Sequence, residues 1–384
     1  MSHPSPTNRR RYALGLSTCA LLLLALLLIS PGIGTESASF GWRDAWRAQL
    51  GLTIDRGELQ NRGAADVDHD GVISDDELDA FTQQARQIGF RLRFPRSLLA
   101  LEVGMTLALC GAAFQVLFRN PLATPYTLGL ASGGSLGAII AIRLGWTAAW
   151  LGISTLTVSA FGGAIAVVVV VFVLAHGVRR LTSNELLLAG VTMGLFCSAL
   201  MMFITVVSSE RQTFAIVRWM MGSLDTIATI EGARLLPLLL PTWLVLIASA
   251  RALNQYRLGE DLAATRGVHV ARLLGLCVLV STVGIAAVVA QCGPIGFVGL
   301  VVPHITRLIF GSDCRVLLPA SALAGGAFLI LCDWASQVAM GLGGWATGQR
   351  LGSATLPIGV VTAIVGVPIF LVLLRTRRSA LSTP

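Results

Sequence analysis

The chain has 384 residues, of which 54% are hydrophobic and 12% charged, with a formal net charge of +8. A mean hydropathy of +0.76 belongs to a polytopic membrane protein rather than to a soluble core. All 28 basic residues are Arg; without Lys there is no P-loop, so nucleotide hydrolysis by that route is excluded.

The Arg residues fall in short clusters between apolar runs, the positive-inside pattern of a membrane protein, and not along a face that would track nucleic acid. None of the seven Cys residues forms a Cys-x-x-Cys pair, so buried free thiols are expected instead of a disulfide framework or a zinc site.

In chain order, Arg9-Arg10-Arg11 precedes an apolar run from about Tyr12 to Ile33. The run is long enough to span a bilayer and lacks a small-x-small cleavage site, so it reads as a retained first transmembrane helix with a cytoplasmic N-terminus. Residues 36–92 are polar and contain an EF-hand-like loop, Asp66 to Glu77. Its oxygen ligands for calcium would be Asp66, Asp68, Asp70, the Val72 carbonyl, Ser74 through water, and a bidentate Glu77. Gly71 falls at the sharp turn and Ile73 at the apolar eighth position. A helix follows from Asp75 to about Gly89, while Gly63 breaks the one before.

Apolar spans follow at about 97–117, 127–146, 149–176, 184–207, 233–251, 272–292, 297–311, 316–336 and 355–375. The expected fold is therefore all-α and polytopic, with about ten transmembrane helices. Arg179-Arg180, Arg251 to Arg272, Arg307 and Arg315, and Arg375 to Arg378 all lie on the side of the N-terminus, and an even count returns the C-terminus to that side.

Two stretches cannot extend an undisturbed helix: Arg119-Asn120-Pro121 to Gly129, and Gly293-Pro294-Ile295-Gly296 through Pro303 to Arg307. Broken backbone at membrane depth is tolerated only where protein or a water-filled cavity satisfies it. Paired interruptions point to a pathway, with Asn120, Pro121, Gly293, Pro294, Gly296 and Pro303 as its candidate residues and a helix restarting near Val301. Between spans, Glu260 and Asp261 favour the start of a short helix that Gly267 stops.

In these blocks the chain resembles the FecCD-type permeases of ABC importers for iron-siderophores, haem and vitamin B12. The resemblance rests on Arg93-Phe94-Pro95-Arg96, Gly111 to Gln115, Arg119 to Ala123, Gly259 to Ala263, Gly293 to Arg307, and Leu356 to Thr362 with Gly366 to Phe370. It covers residues 91–378, and the polar insertion is longer than the corresponding loop of such proteins.

The resemblance implies an importer permease of the bacterial inner membrane that works beside a second copy or a homologous permease. Two ATPase subunits that bind ATP and an extracytoplasmic binding protein would complete the system. Gly259, Glu260, Asp261, Ala263 and Gly267 would form the ATPase-coupling helix; Arg93, Arg96 and the weaker Arg350 would dock the binding protein. Two readings outside this class are a proton-coupled secondary transporter and a membrane-anchored calcium-responsive protein.

Inside the membrane, Glu102 reads as facing a wet vestibule and Asp333 as either functional or a satisfied internal acceptor. His304 reads as structural. Met201-Met202 and Met220-Met221 with Trp219 read as packing or as an apolar wall.

Overall fold

The computed structural model describes residues 6–33, 41–61, 72–146, 149–150, 153–176, 183–224, 229–347 and 356–381. Helix α1 (Pro6–Ile29) carries the first apolar run. Three helices build the polar insertion: α2 (Trp42–Leu50), α3 (Arg56–Asn61) and α4 (Asp75–Gln87). A π-helical turn over Ile88–Arg93 leads without a break into α5 (Phe94–Leu117). Then come α6 (Leu130–Arg143), α7 (Thr155–His176), α8 (Ser183–Val206) and the short α9 (Glu210–Met220). The remainder is α10 (Thr229–Ala248), α11 (Ala250–Arg257), α12 (Glu260–Thr265), α13 (Val270–Cys292), α14 (Val298–Phe310), α15 (Cys314–Thr347) and α16 (Ile358–Leu381).

Each of the ten apolar runs becomes a helix, but not every one is a full span. Among the described residues six helices are long and apolar enough to cross a bilayer, or seven if the bent pair α10–α11 counts as one. Two more are short, α6 (Leu130–Arg143) and α14 (Val298–Phe310). At 1.5 Å per residue, 13 or 14 residues reach only about 20 Å of a hydrocarbon core roughly 30 Å thick. The 50° bend in the α10–α11 pair falls at Ser249, whose hydroxyl donates back to the Val245 carbonyl at 2.7 Å and so competes with the helix ladder. The run expected to begin at 149 instead opens with a two-residue antiparallel ladder, Ala149–Trp150 on Ile153–Ser154, and its helix starts at Thr155.

Helix α5 is the axis of the core, buried without interruption from Thr106 to Leu117. A helix apolar all round has no face to give to water, so it must be enclosed. It is enclosed by α10, α13, α14 and, most closely, α15. Two glycine contacts allow that approach: a Cβ on Gly104 would run into the Gly325 carbonyl, and one on Gly111 into that of Gly299. Small residues at helix crossings do this where burial against lipid supplies little driving force. By contrast, Leu188, Leu195, Phe196, Met202 and Phe203 of α8 are exposed, as on a helix face turned towards lipid.

The insertion has its own small core of Ala45, Ala48, Ile54, Leu59, Ile73, Phe81 and Ala85. Trp46 fixes it to the membrane part: its indole N–H donates to the Leu28 carbonyl at 2.7 Å, and its ring stands edge-on to Phe90 at 4.7 Å. The seven cysteines are free, six of them buried, as the spacing implied.

Candidate translocation and coupling site

The two interruptions meet. Helix α13 ends at Cys292, and Gly293 adopts a left-handed φ of 70° that a β-carbon would strain. The chain then runs irregularly to Phe297, itself at φ 66°, before α14 starts at Val298, three residues earlier than the sequence implied. The other interruption turns at Arg119 (φ 48°), with the Asn120 side chain accepting from the Leu122 N–H at 2.9 Å. A one-turn 3₁₀ segment, Pro125–Leu128, follows before α6. Tyr126 in that segment joins the breaks, its hydroxyl accepting from the Ile295 N–H at 3.2 Å.

Between the breaks lies a cavity of about 150 Å³ lined by Leu107, Pro125, Tyr126, Ile295, Phe297 and their neighbours. The loose backbone is satisfied within the protein: Ser223 N–H donates to the Cys292 carbonyl at 2.8 Å, and Gly359 N–H to that of Met221 at 3.1 Å. Pro303 sits inside α14 without ending it. The acceptor it leaves idle is the Gly299 carbonyl, and Gly111 packs against that oxygen. Gln115 then ties α5 to α14, donating to the Leu300 carbonyl at 3.2 Å while accepting from Arg307 at 3.1 Å. Of the expected pathway residues, Gly293, Pro294 and Gly296 lie in one break, Asn120 and Pro121 in the other, and Pro303 one turn into α14.

The predicted short helix is α12. Gly259 precedes it at φ 140° and Gly267 follows at φ 82°, with the Val268 N–H closing back on the Ala263 carbonyl at 3.0 Å. Ala263 is fully buried, whereas Leu258 and Leu262 are exposed. The first interruption braces this helix. Arg119 stacks over the Tyr256 ring at 4.7 Å, donates to the Tyr256 carbonyl at 3.1 Å, and stands 3.8 Å from the Glu260 carboxylate. Tyr256 adds its hydroxyl to Glu260 at 3.1 Å. Nothing in the sequence singled out Arg119 and Tyr256 as partners, because they lie 137 residues apart; the unusual backbone of Arg119 is visible only in the fold.

The expected docking arginines are placed otherwise. Arg93 is buried, with a guanidinium N–H donating to the Pro31 carbonyl at 3.3 Å. Arg96 pairs through Nε with Asp333 Oδ1 at 2.8 Å, and its side chain is only 16% exposed. Gln337 completes the pair by donating to Asp333 Oδ2 at 2.8 Å. Asp333 is thus the satisfied internal acceptor of the two readings, and neither arginine stands as a bare cation on a rim. Arg350 lies outside the described residues. Glu102 is buried instead of facing a wet vestibule, and its Oε2 has no hydrogen-bond partner among the described residues.

Of the calcium loop, Asp66, Asp68 and Asp70 also lie outside the described residues. Val72 is exposed, and Ile73 is buried in the insertion's core. Ser74 caps α4, accepting from the Glu77 N–H, while the Glu77 carboxylate accepts from the Ser74 N–H at 3.0 Å. Among the described residues no three His, Cys, Asp or Glu side chains cluster as for a metal. His304 is buried, and Met201 packs against Ile139 and Ile216 rather than lining a path.

The FecCD transport family matches residues 21–376. The chain is 35% identical over 370 residues to the cobalamin import system permease protein BtuC of Halobacterium salinarum, covering 94% of this chain and 95% of that one. It is 37% identical over 301 residues to the vitamin B12 import system permease protein BtuC of Escherichia coli O9:H4, covering 78% of this chain and 87% of that one. Its fold is similar to that of a metal-chelate type ABC transporter solved in an inward-facing conformation, with a TM-score of 0.74, 29% identity and coverage of 94% and 98%. The chain therefore belongs to the FecCD transport family and is a multi-pass membrane permease subunit of an ABC importer.

Proposed function

We propose that this permease imports cobalamin, or a metal chelate of similar bulk, across a bacterial inner membrane, with both termini in the cytoplasm. Two copies form a pathway between them. A separate pair of ATPase subunits binds ATP and seats on α12, and a binding protein delivers substrate on the opposite face. The observation that carries this reading is the braced α12 beside the joined helix breaks. A short helix pinned by Arg119 and Tyr256 transmits a push from a moving partner to the interruption whose far end borders the cavity. The two BtuC relatives favour cobalamin within the class.

A proton-coupled mechanism finds little support in the interior. Asp333 is spent on Arg96, and a relay needs a succession of ionisable groups. The substrate is tested with proteoliposomes holding the chain, its ATPase and its binding protein, offered labelled cobalamin, ferric siderophore and haem in parallel. Cobalamin accumulation is expected, and accumulation of either other ligand alone would reassign the substrate.

We propose in addition that the insertion binds calcium as a structural clasp. Supporting this, Ile73 lies in the insertion's core, and α4 starts where the twelfth loop position, Glu77, meets its Ser74 cap. Affinity in the range of extracellular modules, on the order of 10⁻⁴–10⁻³ M, is expected. Calcium at about a hundred times Kd should then stabilise the full chain by about 2.7 kcal/mol in thermal unfolding. Glu77→Gln keeps the helix cap and should abolish the shift; an undiminished shift in that variant would place calcium elsewhere.

A further inference from the structure

A second cavity, of about 280 Å³, opens beside α12, between the end of α5, the end of α11, α14 and the turn into α15. At ~30 Å³ per water molecule it has room for roughly nine waters, and so for a phosphate group. Three guanidinium groups converge on it from three separate segments: Arg119, Arg257 and Arg307. Its other walls are Gln115, Val116, Pro121, Ser312 and Leu317, with no carboxylate among them.

The two nearest acids, Glu260 and Asp313, do not line it. Glu260 faces Arg119 from α12, outside the cavity. Asp313 accepts from Asn254 at 2.6 Å and from the Arg315 N–H at 3.0 Å. The arginines are held in place: Arg119 by Tyr256, Arg257 by the Ser312 carbonyl, and Arg307 by Gln115. Glu260 offsets Arg119 from outside, while the cavity walls place no carboxylate against Arg257 and Arg307, and guanidinium forks match the oxygens of a phosphate.

We propose that this cavity binds the phosphate of an anionic phospholipid headgroup from the leaflet on the α12 side. The lipid source follows from what flanks the arginines in sequence. Leu122, Leu258, Leu308 and Ile309 are all exposed, offering apolar ground for acyl chains beside a basic pocket. A bound headgroup would share Arg119 with Glu260 and thereby bear on the brace of the coupling helix. That the leaflet is cytoplasmic rests on the topology proposed above; the binding itself does not.

The full chain, purified in detergent, is loaded with phosphatidylglycerol or phosphatidylcholine, and retained lipid is counted by native mass spectrometry. Phosphatidylglycerol should be retained about tenfold less by Arg257→Gln and by Arg307→Lys than by the unaltered chain, as expected for losing charge-assisted hydrogen bonds. Arg251→Gln, an exposed arginine away from the cavity, should retain it fully, and phosphatidylcholine should not distinguish the variants. Inorganic phosphate that displaces the lipid would assign the same anion site to free phosphate, whereas failure to displace it keeps the lipid assignment. Equal retention of phosphatidylglycerol by the unaltered chain and both cavity variants would overturn the proposal. None of these outcomes depends on sidedness, so an error in topology would leave them unchanged.

Discussion

Replacing Asp333 with alanine should destabilise the folded chain by about 3–5 kcal/mol, because it removes the carboxylate that pairs with the mostly buried Arg96 guanidinium. The pair joins α5 to α15, the two most closely packed helices, and Asp333 is fully enclosed. Taking two charges from water is costly, so the pair itself adds little over an apolar substitute; breaking it is what costs. The double variant Arg96→Met/Asp333→Leu should therefore recover most of the loss. Thermal unfolding of the purified single and double variants reads both quantities. If Asp333→Ala unfolds like the unaltered chain while Arg96→Ala impairs only binding-protein association, Arg96 is a docking residue after all and its pairing is incidental.

Substituting Leu262 by aspartate should weaken association with the ATPase roughly thirtyfold, the loss of an apolar anchor worth about 2 kcal/mol at a small interface. Leu262 is exposed on α12, while Ala263 beside it is fully buried and holds the helix to its own chain. The substitution thus alters what α12 presents and not how α12 is held, and the isolated permease should keep its unfolding temperature. Glu260→Ala does the opposite. It leaves the outer face intact and removes the acceptor shared by Arg119 and Tyr256. Association should survive in that variant, with transport per ATP reduced as the lever slackens. Co-purification and coupled ATPase–uptake assays separate the two effects.

The elements themselves were legible because composition and punctuation are local. Ten apolar runs became helices, Gly259 and Gly267 bounded α12, and Gly293 ended α13. Pairing was not legible. Arg96 read as a rim charge because its partner, Asp333, lies 237 residues away. Arg93 read likewise, although it is buried and its guanidinium donates a hydrogen bond to the Pro31 carbonyl, 62 residues away. Span length was legible for α14, whose run at 297–311 became Val298–Phe310, but less so for α6, whose run at 127–146 opens in the 3₁₀ segment Pro125–Leu128 and becomes helix only from Leu130 to Arg143. The brace on α12 was hidden because Arg119 belongs to one break and Tyr256 to the helix before α12.

The central claim is that this permease converts a push on α12 into movement of the joined helix breaks, with no energy source of its own. Uptake of labelled cobalamin by proteoliposomes containing the permease, its ATPase and its binding protein tests that claim most directly. Accumulation that requires internal ATP, is lost in Leu262→Asp and is indifferent to an imposed pH gradient is the predicted result. Uptake driven by a pH gradient in the absence of ATP would contradict it and make the permease a secondary transporter.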